Sequence, residues 1–344
     1  MRHLSPILLL LALVGALRLL PTPLEPASNA RAETHGQRGP ATLRIATWNV
    51  ENWRHHFTAW RRRAERNLDD AAREALLQER FQNDEDNWEI AQVLTDSAFI
   101  PDILVFQEGP AQEELEEFNK QWLSGMYESV QVFPSNDDRG QTIGILLKPG
   151  FRVVAREDEY HKLPDPQDLN PRTDFLFARG PAFVLVETPR KTRLWVGTNH
   201  QKSKGGGNDV ATTRWRNAEA AATRKIMTDL IARGPAELVF LGDMNDEPGI
   251  QAYELDGGGD VMATLICPPE EGLRLATREL TEQGQASYMG YWRADYRSLI
   301  DHIVLSRDLA DQVRATAVFD SPWARVASDH LPVYVDVVVE NVER

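Results

Sequence analysis

The feature that most limits the fold is a series of short apolar segments in which hydrophobic residues alternate or run together, as they do in β-strands. The segments with this pattern are 43–49, 102–107, 142–148, 151–156, 182–187, 193–198, 237–241, 299–305, 313–318 and 333–339. Helices are predicted over 88–99, stopped by Pro101, and over 210–232, ended by Gly234 and Pro235. Strands outnumber helices and do not alternate strictly with them. The chain is therefore predicted to be an α/β protein in which two packed sheets carry helices on the outside.

Composition agrees with a single large globular domain. The chain has 344 residues, of which 42% are hydrophobic and 26% charged, which is ample for a large core. A net charge of -14 and an isoelectric point near 5.1 exclude binding of nucleic acid by overall charge, so such contact must be local or bridged by a metal. Cys267 is the only cysteine, which excludes an intramolecular disulfide and a thiolate zinc cluster. Its apolar neighbours indicate an ordinary buried or half-buried thiol.

The N-terminal segment is typical of an export signal. Arg2 and His3 precede an apolar run over 7–17, and a proline-rich stretch leads to the small-residue site Ala30-Arg31-Ala32. We therefore expect a signal peptide over 1–32, a linker over 33–41 and a secreted or periplasmic protein. The alternative is an uncleaved anchor, although the apolar run is shorter than the roughly 20 residues that span a bilayer.

Charged segments outside the strands are interpreted as solvated surface. The polar stretch 54–87 predicts a helix and a loop on an exposed face. His55 and His56 are interpreted as two exposed histidines at a helix start rather than as metal ligands. On the helix over 210–232, Arg214 and Arg216 are expected to lie on the surface.

Polar side chains with metal-binding or acid–base capacity recur at the ends of the predicted strands. They are Asn49, Glu108, Asn199, His200, Asp243, Asn245, Asp301, His302, Asp329 and His330. One such position is common in an ordinary turn, but repetition at six strand ends indicates a shared site. Carboxylate and amide oxygens are ligands for hard cations, and histidines serve in proton transfer or charge stabilisation. Without a cysteine set or an HExxH helix, the pattern favours magnesium or manganese over zinc.

These groups suit phosphoryl transfer. That reaction needs a cation on the phosphate oxygens, an activated water in line with the leaving group, and stabilisation of the leaving oxygen. The side chains at the strand ends include groups suited to all three of these tasks.

Six motifs, in order along the chain, resemble those of the endonuclease/exonuclease/phosphatase superfamily. They are Thr47-Trp48-Asn49-Val50-Glu51-Asn52, Phe106-Gln107-Glu108, Asn199-His200-Gln201-Lys202-Ser203, Gly242-Asp243-Met244-Asn245, Asp301-His302 and Ser328-Asp329-His330. The superfamily includes pancreatic-type deoxyribonucleases, abasic-site endonucleases, inositol-phosphate 5-phosphatases and bacterial sphingomyelinases. The resemblance runs from about Leu43 to about Val338. It implies a divalent-metal-dependent phosphoesterase domain over 42–340 with the deoxyribonuclease-I-like fold, a four-layer α/β/β/α sandwich of two mostly antiparallel sheets.

The resemblance also implies a metal site. Glu108 is the principal ligand, helped by Asn49 and Asp329. The cation implied is Mg²⁺ or Mn²⁺, with Ca²⁺ as a further candidate.

Catalytic roles follow from the same resemblance. Asp243 orients or deprotonates the attacking water, and Asn245 holds the phosphate. Asp301 orients His330, which contacts the scissile phosphate or activates water. His200 contacts the phosphate or assists the leaving oxygen. Pancreatic-type deoxyribonucleases have a second acid–histidine pair, but no acidic partner can be assigned to His200 here.

Further residues are predicted to bind phosphate or substrate. They are Arg179, Asn199 and Lys202. Lys202 and Lys204 lie in a glycine-rich loop that lacks the P-loop order of residues. The loop either touches a phosphate backbone or is merely solvated. His302 follows Asp301 on a strand, so it points to the opposite face and is interpreted as structural.

A secreted or periplasmic nuclease acting on DNA or RNA is the function most strongly indicated. The Asn199–Gly206 stretch and the Tyr288–Ser306 segment resemble those of bacterial extracellular nucleases. Tyr288, Tyr291 and Trp292 either stack on bases or pack beneath a loop. The alternatives are a phosphatase or sphingomyelinase-like phospholipase and, more remotely, an inactive binding module. We expect a monomer with no stable protein partner and no membrane contact beyond the export signal.

Overall fold

The computed structural model describes residues 41–53, 70–204, 210–249, 256–266, 272–290 and 297–339. The predicted signal peptide and residues 33–40 of the linker lie outside these ranges, as do the interpretations made for His55, His56, Cys267, Tyr291 and Trp292. Within the described ranges, every helix is too short or too polar to cross a membrane.

The described residues form strands and helices in the following order. They are β1 Ala41–Asn49, α1 Asp70–Thr95, β2 Ile103–Gly109, α2 Gln112–Trp122, β3 Ser129–Phe133, β4 Thr142–Leu147, β5 Arg152–Glu157, a 3₁₀ turn Glu159–Lys162, β6 Ala182–Glu187, β7 Arg193–His200, α3 Val210–Ala232, β8 Glu237–Asp243, α4 Val261–Ile266, β9 Leu273–Leu275, α5 Arg278–Glu282, β10 Tyr288–Met289, β11 Arg297–Ser298, β12 Asp301–Ser306, α6 Arg307–Ala310, β13 Val313–Val318, α7 Ala324–Ala327 and β14 Val333–Val339.

Two six-stranded sheets form the centre of the protein. The first has the strand order β13-β14-β1-β2-β4-β3, and the second has the order β5-β6-β7-β8-β12-β9. The pairs β1–β2 and β7–β8 are parallel, whereas the other strand pairs within these two sheets are antiparallel. The predicted fold class is confirmed, since both sheets are mostly antiparallel and both carry helices.

Alternation along each strand creates three apolar layers. In β1, Ile45 packs into the core between the sheets, whereas Trp48 packs outward beneath α1 and α2. In the second sheet, Val196 faces the central core and Phe240 faces α3 and α4. Burying each such side chain contributes roughly 1.5–3 kcal/mol. The result is the four-layer α/β/β/α order.

The helix predicted over 88–99 is the end of the longer α1, which stops at Thr95. The chain turns at Asp96, whose backbone carbonyl accepts from Phe99 N at 2.8 Å and whose Oδ1 accepts from Ala98 N at 2.9 Å. Local side-chain bonding of this kind competes with helix continuation. The strand predicted over 299–305 begins later, at Asp301. The helix over 210–232 has the predicted bounds.

Candidate active site

The site lies where two pairs of parallel strands end. β1 and β2 carry Asn49 and Glu108 at their carboxyl ends, and β7 and β8 carry His200 and Asp243. The two sheets stack so that these ends meet. The Asn49 Nδ2 lies 3.0 Å from Asp243 Oδ2 and 3.5 Å from Glu108 Oε1. Four residues that are remote in sequence are thereby brought into one buried polar cluster.

Glu108 occupies a specialised backbone position. Its φ is 59°, in the left-handed region, where the register of β2 against β4 shifts between Gln107 and Gly109. Such a bulge re-aims a side chain at the edge of a sheet. The Glu108 Oε2 accepts from the backbone N–H of Asn52 at 2.9 Å and from Gln141 Nε2 at 2.5 Å. Burial works against ionisation, but His200, Arg179 and the backbone N–H of Asn52 hold the Glu108 pKa below its usual value.

Asp243 is the central acid of the cluster. Its Oδ2 lies 3.2 Å from His200 Nε2, and its Oδ1 accepts from the backbone N–H of Asn245 at 2.8 Å. Burial opposes ionisation, yet His200, His330 and Asn49 together hold its pKa well below the usual range. Asp243 is therefore a carboxylate at neutral pH and can orient or accept a proton from a nearby water.

His330 and Asp301 form a close pair. The His330 Nδ1 lies 2.6 Å from Asp301 Oδ2, which leaves Nε2 directed at Asp243 Oδ2 (3.8 Å) and Asp329 Oδ1 (3.9 Å). Burial lowers the pKa of His330, but the charges of Asp301, Asp243 and Asp329 overcome it and raise the pKa to about 10. The ring is thus an imidazolium whose Nε2–H can donate to a phosphate oxygen.

His200 has its acidic neighbours at Nε2, not at Nδ1. It is buried, and its Nδ1 has no hydrogen-bond partner among the described residues. Its Nε2 faces Asp243 and, at 3.9 Å, Glu108 Oε1. Burial and the charge of Arg179 lower the His200 pKa. The carboxylates of Asp243 and Glu108 oppose this lowering of the pKa.

The cluster fits a divalent cation. Ligand atoms of Asp243, Asp301 and His330 all lie within 4.8 Å of one another, and all three residues are buried. The imidazolium of His330 has no lone pair for a metal, so the carboxylates are the groups in this set that would hold a cation. Burial and the neighbouring carboxylates of Glu51, Glu108 and Asp243 raise the pKa of Asp329 to about 7, although His330 opposes the shift. Crowded carboxylates of this kind suit a hard cation, which would supply positive charge to polarise the phosphate.

The predicted ligands lie around the Asp243–Asp301–His330 group and are not members of it. Glu108 borders this group through Asn49, and Asp329 borders it through His330. Asn49 turns its Nδ2, not its oxygen, toward Asp243 and Glu108, because its Oδ1 accepts from the backbone N–H of Glu51 at 3.1 Å. Ligation by Asn49 Oδ1 would require the opposite orientation of the amide.

Arg179 lies at the edge of the cluster. Its Nη1 is 3.8 Å from Glu108 Oε1 and donates to Gln141 Oε1 at 3.1 Å, while its Nη2 donates to the backbone carbonyl of Gln201 at 3.4 Å. The same carbonyl accepts from Asn245 Nδ2 at 3.1 Å. The structure therefore brings Arg179 and Asn245 to one side of the acids, where a phosphate could contact both.

Asn199 and Lys202 are not brought to this cluster. Asn199 precedes His200 on β7, so its side chain points to the opposite face of the sheet, and it is 0% exposed. This burial contradicts its predicted contact with substrate. The Lys202 Nζ donates to the backbone carbonyl of Ser203 at 2.8 Å, and Lys204 pairs with Asp246 at 2.6 Å. Both lysines are held by internal contacts.

Three further predictions have clear outcomes. His302 is structural, as predicted: it is fully buried, with Nδ1 at 2.7 Å from Thr277 Oγ1 and Nε2 at 3.0 Å from the Asp246 carbonyl. The surface position predicted for Arg216 is wrong. Arg216 is 0% exposed and its Nε donates to Asp246 Oδ2 at 3.0 Å, because Asp246 supplies a buried carboxylate after β8. Arg214 is exposed, as predicted.

Sequence reasoning missed two residues at the site. Gln141 bonds to Glu108 and Arg179, but it precedes a predicted strand and belongs to no quoted motif. Glu51 accepts from the backbone N–H of Asp329 at 3.1 Å. Its position inside the first motif is the sequence feature that could have identified it as a site residue.

Tyr288, predicted either to stack on bases or to pack beneath a loop, is half-buried with its ring centroid 5.0 Å from that of His330.

Residues 44–332 match the family model described as the Endonuclease/Exonuclease/phosphatase family. No curated protein sequence matches the chain.

Solved structures share the fold. A Beutenbergia cavernae endonuclease/exonuclease/phosphatase is 18% identical with a TM-score of 0.58, covering 87% of this chain and 72% of that one. D. rerio TDP2, complexed with a single-strand DNA product, is 18% identical with a TM-score of 0.53, covering 87% and 100%. The Bacteroides thetaiotaomicron mannosyl-6-phosphatase is 16% identical with a TM-score of 0.53, covering 86% and 100%.

Proposed function

This chain belongs to the endonuclease/exonuclease/phosphatase family, and on that premise we propose that it is a secreted or periplasmic nuclease. Family membership makes it a metal-dependent phosphoester hydrolase. We propose that the substrate is nucleic acid and that the cation is Mg²⁺ or Mn²⁺. We further propose that the protein acts as a monomer, without a stable protein partner.

The aromatic ring beside the catalytic histidine carries the nuclease proposal. Tyr288 is half-buried with its ring 5.0 Å from that of His330, so it borders the position of the reacting phosphate. An aromatic face in this place can stack on a base adjacent to the scissile bond. The shared fold of D. rerio TDP2, solved with a single-strand DNA product, supports the same substrate class. Stacking requires an unstacked base, so single-stranded segments are the preferred target.

The chain's own residues divide the work of hydrolysis. Arg179 and Asn245 bind the phosphate, and the Asp243 carboxylate orients the attacking water and accepts its proton. The Nε2–H of His330, held by Asp301, donates to the phosphate as negative charge develops. His200, whose Nε2 faces Asp243 and Glu108, contacts the phosphate or assists the leaving oxygen.

A phosphatase acting on small phosphoesters is the second candidate. The net charge of -14 disfavours an extended polyanion. Lys202 and Lys204, the basic residues of the predicted phosphate-contacting loop, are held by internal contacts. The Bacteroides thetaiotaomicron mannosyl-6-phosphatase shares the fold.

One set of assays tests the proposal. The purified chain is incubated with single-stranded DNA, plasmid DNA, structured RNA, bis-p-nitrophenyl phosphate, p-nitrophenyl phosphate and sphingomyelin, with Mg²⁺ or Mn²⁺ or with chelator. Glu108→Ala and His330→Ala are run beside Glu113→Ala, whose carboxylate is exposed on α2. We expect metal-dependent cleavage of nucleic acid, fastest on single strands, that only the first two variants lose. Intact nucleic acids with hydrolysed monoester or lipid would overturn the nuclease proposal.

Export is tested separately. Expression of the full chain in a bacterial host, followed by fractionation and mass determination of the recovered protein, is expected to give a periplasmic or secreted product lacking residues 1–32. A full-length product in the membrane fraction would instead indicate the uncleaved anchor.

A further inference from the structure

The side-chain amide of Gln141 is fully used within the site. Its Nε2 donates to Asn52 Oδ1 and to Glu108 Oε2, each at 2.5 Å, and its Oε1 accepts from Arg179 Nη1 at 3.1 Å. Gln141 is 5% exposed. The amide has one orientation only, because the flipped form would place its N–H groups against the guanidinium of Arg179 and its oxygen against the Glu108 carboxylate.

This bonding leaves the two oxygens of Glu108 unequal. Oε2 accepts from the backbone N–H of Asn52 and from Gln141. Around Oε1 the neighbouring donors are more distant: Asn49 Nδ2 at 3.5 Å, Arg179 Nη1 at 3.8 Å and His200 Nε2 at 3.9 Å. Oε1 therefore keeps the capacity to bind a cation.

Gln141 also holds Arg179 away from Glu108. The guanidinium bonds to Gln141 at 3.1 Å and stays 3.8 Å from Glu108 Oε1. A buried arginine and carboxylate this close would otherwise close into a direct hydrogen-bonded ion pair, since both are poorly solvated. Such a pair would occupy Oε1 and turn N–H groups of Arg179 toward Glu108 and away from a phosphate.

We infer that Gln141 is a positioning residue that keeps Arg179 from pairing with Glu108, so that the carboxylate remains available to the cation and the guanidinium to the phosphate. The inference rests on the metal-dependent phosphoesterase site but on no particular substrate. Residues that orient metal ligands in this way typically change metal affinity about 10- to 100-fold when replaced.

Mn²⁺ binding without substrate tests the inference, measured by electron paramagnetic resonance of the free ion. We expect Gln141→Met to bind Mn²⁺ about 10- to 100-fold more weakly than the wild type. Gln121→Met, on the exposed face of α2, is the matched control and should bind as the wild type does. Because no substrate is present, a failed nuclease proposal leaves this result unaffected.

A double-mutant cycle separates positioning from simple packing. In an Arg179→Met background no guanidinium can close on Glu108, so Gln141→Met should lose much less Mn²⁺ affinity there than in the wild type. If Gln141→Met does not fold by circular dichroism, Gln141→Asn replaces it, because the shorter amide cannot reach Glu108 and Arg179 together. Wild-type Mn²⁺ affinity in the folded variant, or an equal loss in both backgrounds, would overturn the inference.

Discussion

His330 Nδ1 lies 2.6 Å from Asp301 Oδ2, although the two residues come from segments attached to different sheets. Asp301 begins β12 in the second sheet, and His330 lies just before β14 in the first. The segment before β14 is tied to the first sheet by two further bonds: Trp48 Nε1 donates to the His330 carbonyl at 2.9 Å, and Ser328 Oγ donates to the Asn49 carbonyl at 2.7 Å. These backbone hydrogen bonds fix the position of His330, and Asp301 sets the orientation of its imidazole ring.

Asp301→Asn is expected to lower kcat at least about 100-fold with little change in fold. Removing the Asp301 charge lowers the His330 pKa from its value of about 10, so the ring loses its proton at a lower pH. The alkaline limb of the pH–rate profile should therefore move to lower pH. Kinetics on bis-p-nitrophenyl phosphate and an NMR titration of the ring check this. An unchanged alkaline limb would contradict the role assigned to the pair.

Glu219→Gln is expected to change how stability depends on pH. Glu219 is 1% exposed on α3 and accepts from the backbone N–H of Lys202 at 2.8 Å. Burial raises its pKa to about 8, although Lys202, Arg179 and Arg216 oppose the shift. Between the unfolded value near 4.5 and about 8, the folded state holds a proton that the unfolded state has released. The wild-type free energy of unfolding therefore falls as pH rises through this window.

The glutamine side chain does not titrate, so the free energy of unfolding of this variant should vary less with pH over the same window. Its free energy of unfolding should exceed that of the wild type by on the order of 5 kcal/mol above pH 8. Urea unfolding at pH 5, 7 and 9 measures the difference, with the exposed Glu113→Gln as control. Parallel stability curves for Glu219→Gln and the wild type would show that Glu219 is ionised in the folded state throughout.

Arg216→Met is expected to destabilise the protein by about 3 kcal/mol, because it removes one partner of a buried ion pair with Asp246. Lys204, at 2.6 Å from Asp246, limits the loss. Arg214→Met, two residues away on the exposed face of α3, should cost less than about 1 kcal/mol. Denaturant unfolding of the two variants compares them directly, and equal losses would argue against the buried pair.

Mn²⁺ or Mg²⁺ is expected to raise the unfolding temperature. A cation that binds only the folded state stabilises it by about 2.7 kcal/mol at 100 times its dissociation constant. Glu108→Gln should lose most of this effect while unfolding normally in chelator, since the amide no longer supplies an ionised oxygen. Thermal unfolding over a range of Mn²⁺ concentrations gives the answer. The same stabilisation in the variant would exclude Glu108 as a ligand.

Strand patterns and motif order predicted much of the fold because both depend on local sequence. The bounds of α3 and β14 follow from periodicity and from the residues that end them. Arg216 could not be placed in this way, because its burial depends on Asp246, which reaches it from another element. Gln141 could not be predicted as a site residue for the same reason, because its partners Glu108 and Arg179 reach it from other parts of the chain. Asn199 lies in a recognisable motif, but strand alternation beside His200 already required it to face the other way.

The bond from Asn49 Nδ2 to Asp243 Oδ2 joins the carboxyl ends of interior strands in opposite sheets. Each half of the sandwich alone carries only part of the catalytic set, and neither can act before the halves are stacked in the correct alignment. A chain with complete secondary structure but unfinished packing is therefore inert. For this protein, catalytic activity therefore reports whether the two sheets are correctly packed. A spectroscopic signal from strands and helices reports only that the secondary structure has formed.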